Sequence, residues 1–230
     1  MKSLIICAIS YVGKVLGYIS FIFAPPLVSI KYSIYKLLEG FSTVRNKYYF
    51  NEFGKGSIIA PSCSFCHAEN ICVGKFTTFN KFCILETTTI DSNLKPIVRI
   101  GDNCNFGDYT HITSANKIVI GDGLLTGRFV LISDNSHGNI TFEESEVMPI
   151  SRPVVSSGSI YIGKNVWLGD NVKVLANVSI GDGAIIGAGS VVTKNIPPYS
   201  VAVGNPAKVI KQLNQTVNDC HLKNLIREQE

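Results

Sequence analysis

The chain has 230 residues, a net charge of +4, 46% hydrophobic residues and 17% charged ones. That size suits one domain with an appendage, and that composition excludes a disordered chain. The charge is mild and no basic run is interleaved with aromatics, which argues against a nucleic-acid binder and suits an anionic ligand or an anionic membrane surface.

Residues 1–50 form an apolar, helix-prone segment. Leu4–Val12 and Val15–Ile30 are strongly apolar, with Lys2, Lys14, Lys31 and Lys36 spaced among them. No small-residue cleavage site follows, so a signal peptide is not expected. A spanning helix needs about 20 uninterrupted apolar residues, and here Lys14 and Pro25-Pro26 break the run. Two readings of residues 1–36 stand side by side. They lie as interfacial helices on the inner face of a membrane, or they pack on the protein's own body or on a neighbouring subunit. Seven cysteines make an odd count without a paired framework, which points to a reducing, cytoplasmic compartment. Cys63 and Cys66 form a C-x-x-C pair, with Cys72 and Cys83 beyond. The second close pair of a zinc site is missing, so no metal is expected and the thiols read as interior filling.

Residues 51–205 read as the main domain. From Ile59 to Lys194 an aliphatic residue, often followed by Gly, returns every six residues. The cleanest stretch runs from Ile162-Gly163-Lys164 through Leu168-Gly169-Asp170 to Ile180-Gly181-Asp182 and Ile186-Gly187-Ala188. Other blocks begin at Ile120, Ile100 and Val73. Each hexapeptide is one short strand and a turn. The aliphatic side chain points inward, and Gly, Asn or Asp at the corner tolerates the tight backbone. Three such faces make one triangular coil, and stacked coils bury a column of Ile, Val and Leu that no single coil buries alone. This predicts a parallel β-helix. Residues 86–97 read as a widened turn, and loop 138–158 as a longer excursion of the kind that carries function. Residues 206–230 read as a helical tail capping the solenoid.

The run NVWLGDNVKVLANVSIGDGAIIGAGSVVTKNIPPYSVAVGNPAKVIK, residues 165–211, resembles the hexapeptide-repeat acyltransferases. The similarity extends over about residues 98–211 and points to the galactoside and maltose O-acetyltransferases and the sugar O-acetyltransferases of capsule and O-antigen synthesis. It implies a left-handed β-helix and a homotrimer with acetyl-CoA lying between neighbouring subunits. It also implies one histidine that takes the acceptor hydroxyl proton as the hydroxyl attacks the thioester. His137, in SDNSHGN, matches that histidine in register. Asp134 and Asn135 beside it are candidate acceptor contacts. Relatives place an acceptor-contacting asparagine where this chain has Gly107, so the flanking Asn105 and Asp108 are further candidates. For the cofactor the match gives Ala188, Thr193, Lys194, Lys208 and Lys211, with the small Gly187 beside them and Trp167 and Asp170 as additional candidates. Lysines would meet the nucleotide phosphates as point charges. The expected activity is O-acetylation of a sugar hydroxyl on surface-polysaccharide material. The alternatives are N-acetylation of a nucleotide-linked amino sugar and a non-catalytic β-helix scaffold. A γ-type carbonic anhydrase needs three histidines at a metal, two of them close in sequence, and no such spacing occurs here.

Overall fold

The computed structural model describes residues 30–90, 95–139 and 141–213. The chain divides into two units, residues 1–41 and residues 42–230. Of the first, the described part is helical, within a helix over residues 30–46. Ile34, Leu37, Leu38 and Phe41 are exposed on it. The apolar stretches before residue 30 lie outside the described residues. Among the described residues no helix is long and apolar enough to cross a membrane.

The second unit is built from three sheets of six, eight and six strands, parallel but for the last strand of the eight-stranded one. The first face runs through Glu52–Phe53, Ile71–Val73, Ile97–Ile100, Lys117–Ile120, Ile160–Ile162 and Val178–Ile180. The second runs from Ile58–Ile59 through Thr78–Phe79, Asn105–Phe106, Leu125–Thr126, Trp167–Leu168 and Ile185–Ile186 to Ser200–Val203 and Lys208–Gln212. The third holds Ser64–Cys66, Ile84–Thr87, His111–Ser114, Leu131–Ser133, Lys173–Val174 and Val191–Val192. The chain visits the faces in turn, so successive coils stack in register: Ile118 lies beside Ile160, and Ile160 beside Val178. Alternation does the rest. In Ile97–Ile100 the burial pattern is exposed, buried, exposed, buried, which sends Val98 and Ile100 into the column. The interior is a continuous stack of Ile, Val and Leu, with Phe79 lying flat on Phe106 at 4.9 Å. Cys83 and Cys104 are buried in it, as small thiols filling interior positions.

The corners depart from the sequence expectation. At the corner between the second and third faces, Asn171 takes a left-handed φ of 59° and Gly189 one of 71°, but Phe82, Tyr109 and Phe129 occupy the same column at 60°, 60° and 58°. Bulky residues rarely adopt this conformation. The compensation is between coils: Phe82 stacks on Tyr109 and Tyr109 on Phe129, each pair at 4.8 Å. Aspartates tie the corners together axially. The Asp102 carboxylate accepts from Lys75 N–H at 2.7 Å, Asp122 from Asp102 N–H at 3.0 Å, and Asp182 from Lys164 N–H at 2.7 Å.

The expected helical tail is corrected over its first part. Lys208–Gln212 is a strand, antiparallel to Ser200–Val203, and it pairs with the edge of the last coil. An open sheet edge demands backbone partners, and the β-branched Val209 and Ile210 suit a strand. Residues 214–230 lie outside the described residues.

Candidate active site

His137 sits where the chain leaves the solenoid. After the third-face strand Leu131–Ser133, the chain does not turn to the first face. Ser136–His137 pairs antiparallel with Val154–Val155 instead, and residues 138–153 form the excursion. The base of this hairpin is anchored from within by Asp134, which is 0% exposed. Its carboxylate accepts from Ser114 Oγ at 2.7 Å, Ala115 N–H at 2.7 Å and Asn116 N–H at 3.2 Å, all on the preceding coil. Asn135 Nδ2 donates to Thr113 Oγ1 at 3.1 Å. The excursion is cross-braced. Thr141 caps the helix Phe142–Ser145, Glu144 accepts from the Asn139 N–H, and Arg152 donates to the Val147 carbonyl at 2.9 Å. Gly138 N–H closes the hairpin onto the Pro153 carbonyl at 2.8 Å. On this frame the His137 imidazole is exposed and has no hydrogen-bond partner among the described residues. An exposed imidazole is open to an incoming hydroxyl, and no side chain among the described residues orients its ring.

The structure redistributes the acceptor candidates. Asp134 is a positioning residue in the wall, because all its reach is spent on the preceding coil. Asp108 Oδ1 accepts from Lys81 N–H at 3.1 Å, and its Oδ2 lies 3.7 Å from Arg128 Nε. Asp170, a cofactor candidate, accepts from Arg128 N–H at 2.8 Å. Both are corner ties of the same kind as Asp102, Asp122 and Asp182. A Cβ on Gly107 would lie 2.2 Å from the Gly127 carbonyl oxygen. An asparagine at this position would require the backbone of the next coil to shift. Asn105 lies exposed on the second face and accepts from Asn80 Nδ2 at 2.9 Å.

The remaining cofactor candidates fall into two groups. Trp167 is half exposed on the second face, in the column of Leu125, Ile185 and Val201. Lys211 pairs with Val201 and Lys208 with Val203 at the end of the same sheet. Gly187 and Ala188 form the adjoining corner. Thr193 and Lys194 lie elsewhere, at the corner between the third and first faces, exposed, two coils beyond the His137 hairpin and on its edge. Within one chain the second-face group and the histidine edge are not brought together.

Residues 159–194 match the bacterial transferase hexapeptide (six repeats) family. The putative lipopolysaccharide biosynthesis O-acetyl transferase WbbJ of Escherichia coli K12 is 38% identical over 130 residues, covering 54% of this chain and 65% of the relative. The chain therefore spans just under two thirds of that relative's length. The dTDP-4-amino-4,6-dideoxy-D-glucose acyltransferase of Escherichia coli is 29% identical over 164 residues, 71% of this chain and 82% of the relative. Among solved structures, AntD, an N-acyltransferase from Bacillus cereus in complex with dTDP and 3-hydroxybutyryl-CoA, superposes with a TM-score of 0.62 at 20% identity, covering 82% and 97% of the two chains. Residues 159–194 carry the hexapeptide repeat of that transferase family.

Sequence reasoning missed a concavity on this corner. A cavity of about 420 Å³ lies beside the hairpin, lined by Ile90, Lys95, Ala115, Asn116, Asn139, Val155 and Ser156. Its only trace in the sequence is that the six-residue period fails twice, at residues 86–97 and 138–158, on what the fold makes one corner.

Proposed function

We propose that this chain is an acyl-CoA-dependent O-acyltransferase of a sugar hydroxyl, with acetyl-CoA as donor and His137 as the general base. The observation that carries the reading is the exposed imidazole on a braced hairpin, without a partner among the described residues, on the same corner as Thr193 and Lys194. A sugar hydroxyl is a weak nucleophile, and the imidazole takes its proton as the oxygen attacks the thioester carbonyl. Coenzyme A thiol leaves. General base help of this kind is worth about 10²–10⁴ in rate. The relative named as an O-acetyl transferase of lipopolysaccharide synthesis supports a surface-polysaccharide acceptor.

We read the winding as left-handed and the assembly as a homotrimer. The family match supports the first. The second follows from the divided candidates: the Trp167, Lys208 and Lys211 face of one copy meets the His137, Thr193 and Lys194 edge of the next. The lysines would contact the nucleotide phosphates, and small Gly187 and Ala188 would let the pantetheine arm approach the backbone.

The relative named for an amino sugar supports a second reading, acyl transfer to an amine. One experiment separates them. The full chain is given acetyl-CoA with hydroxyl sugars and, in parallel, with amino sugars. Thiol release is followed and the product is located by mass spectrometry. Ester formation is expected. Amide formation alone establishes the second reading, and no thiol release with any acceptor removes both.

A further inference from the structure

We propose that Cys63 and Cys83 are an oxidisable pair, which a small disulfide oxidant converts into an intrachain bond that staples the first coil of the solenoid to the second. This site is separate from acyl transfer and holds whatever the acceptor. Ser64–Cys66 and Ile84–Thr87 are parallel neighbours on the third face, with Ser64 beside Ile84. Cys63 and Cys83 each stand one residue earlier, so they too are neighbours, and the Ser64 N–H donates to the Cys83 carbonyl at 3.0 Å. Parallel strands lie about 4.8 Å apart, inside the Cα separation of about 4.4–6.8 Å that a disulfide spans. The two thiols are in hydrogen-bonding contact. In the later coils the place before the third-face strand is held by Thr110, Val130, Val172 and Ser190, all buried. Among the described coils only the first two put sulfur beside sulfur there.

The pair differs from the one that C-x-x-C spacing suggests. Along Ser64–Cys66 the side chains alternate: Ser64 and Cys66 are exposed, and Phe65 packs against the core. Cys63 packs against the core as well. Cys63 and Cys66 therefore face opposite sides of the wall. Cys72 stands on a different sheet, where its Sγ accepts from Asn51 Nδ2 at 3.3 Å.

The two thiols have different roles. Cys63 is partly buried, and Cys83 is 0% exposed. The hydrogen bond with the Cys83 thiol holds Cys63 below the ordinary thiol value of 9.0, whereas the same contact, and then burial, pushes Cys83 up. The thiolate is the nucleophile, which makes Cys63 the attacking sulfur. Cys63 gives up its proton and attacks one sulfur of the small disulfide, and the first small thiolate leaves and takes up that proton. Cys83 then loses its proton and attacks the Cys63 sulfur of the mixed disulfide, and the second small thiolate leaves and is protonated in turn. Two protein thiols are oxidised and one small disulfide is reduced to two small thiols. Ile58–Ile59 and Ser64–Cys66 are the last strands of their sheets, and the end coil of a solenoid is the one that frays. The bond closes a loop of about 20 residues and holds that coil to its neighbour. Under a reducing poise the pair rests as two thiols, and the staple forms when the small-disulfide pool rises.

The test takes the full chain, reduced and then freed of reductant, and incubates it with oxidised glutathione. Free thiols are alkylated, the chain is digested, and linked peptides are sequenced by mass spectrometry. A Cys63–Cys83 bond is expected as the main linkage, reversed by dithiothreitol. Cys66→Ser and Cys72→Ser should keep it. The urea midpoint of the oxidised chain should exceed that of the reduced chain by about 1 M, and Cys63→Ser should show no such shift. The pairing is overturned if both thiols stay open to alkylation once the chain is unfolded, or if the reaction stops as a mixed disulfide at Cys63. It is equally overturned if Cys63 links mainly to Cys66, to Cys72 or to another copy, and the staple is overturned if the bond forms without raising the midpoint. The assay needs neither acetyl-CoA nor an acceptor, so its failure and the failure of the acyl-transfer reading are read separately.

Discussion

Replacing Asp134 with alanine would remove the acceptor of three donors, Ser114 Oγ, Ala115 N–H and Asn116 N–H, of which Ser114 and Ala115 are buried residues. Each unsatisfied buried group costs about 1–3 kcal/mol. The variant is expected to lose about 2–5 kcal/mol in urea unfolding, and its kcat should fall through loosening of the hairpin under His137. A variant as stable as the wild type would show that the hairpin is held from elsewhere. The residue scale is where the sequence was least legible. The place of His137 at the exit from a coil could be read from its register after Ile-Gly-Asp, because position in a solenoid is a matter of counting. Asp134 could not, since burial depends on a loop-bearing coil stacking on its predecessor. Asp108 and Asp170 were readable in principle, because both follow Gly at the corner, as Asp102, Asp122 and Asp182 do.

The aromatic corner column and the axial ties set the behaviour of the elements. Tyr109 takes a left-handed φ and stacks on both neighbours. Tyr109→Ala loses two stacks, each worth about 0.5–1.5 kcal/mol, and keeps the strain. Tyr109→Gly loses the stacks and relieves the strain, worth about 1–2 kcal/mol. Glycine at 109 is therefore expected to be more stable than alanine by about 1 kcal/mol, and the reverse order would mean the corner is not strained. The axial ties respond to acid. The Asp102 backbone N–H, and then Lys164, hold the Asp122 carboxyl below its ordinary value of 3.8. A lowered folded value stabilises above the unfolded one, and that part is lost as pH falls below 3.8 toward the folded value. Asp122→Asn should flatten stability against pH in that window, with a smaller effect at high salt because the pair is exposed. The hexapeptide period made the strands legible, since inward aliphatics recur by covalent spacing. It did not show the aromatic column, whose cause is contact between coils. Nor did it show the strand Lys208–Gln212, whose cause is the unpaired edge at Ser200–Val203.

At the scale of the whole molecule the account requires more than one copy. Light scattering on the purified chain is expected to give a trimer, and a monomer with full turnover would contradict the divided site. The exposed apolar side chains of Phe142, Met148 and Ile150 on the excursion, at 69–82% exposure, are surface that such an assembly can bury. Deleting residues 1–36 should leave transfer to a soluble acceptor intact if they lie on a membrane, and should break the trimer if they pack on it. The solenoid was legible from its repeat, and the two excursions from the breaks in it. The cavity was not, because two excursions 40 residues apart in sequence meet only after the coils stack. The central claim is that His137 takes the acceptor's proton, and His137→Ala in a thiol-release assay tests it most directly. Turnover is expected to fall by about two to four orders of magnitude, with acetyl-CoA affinity nearly unchanged. A His137→Ala protein that keeps most of its turnover would contradict the mechanism.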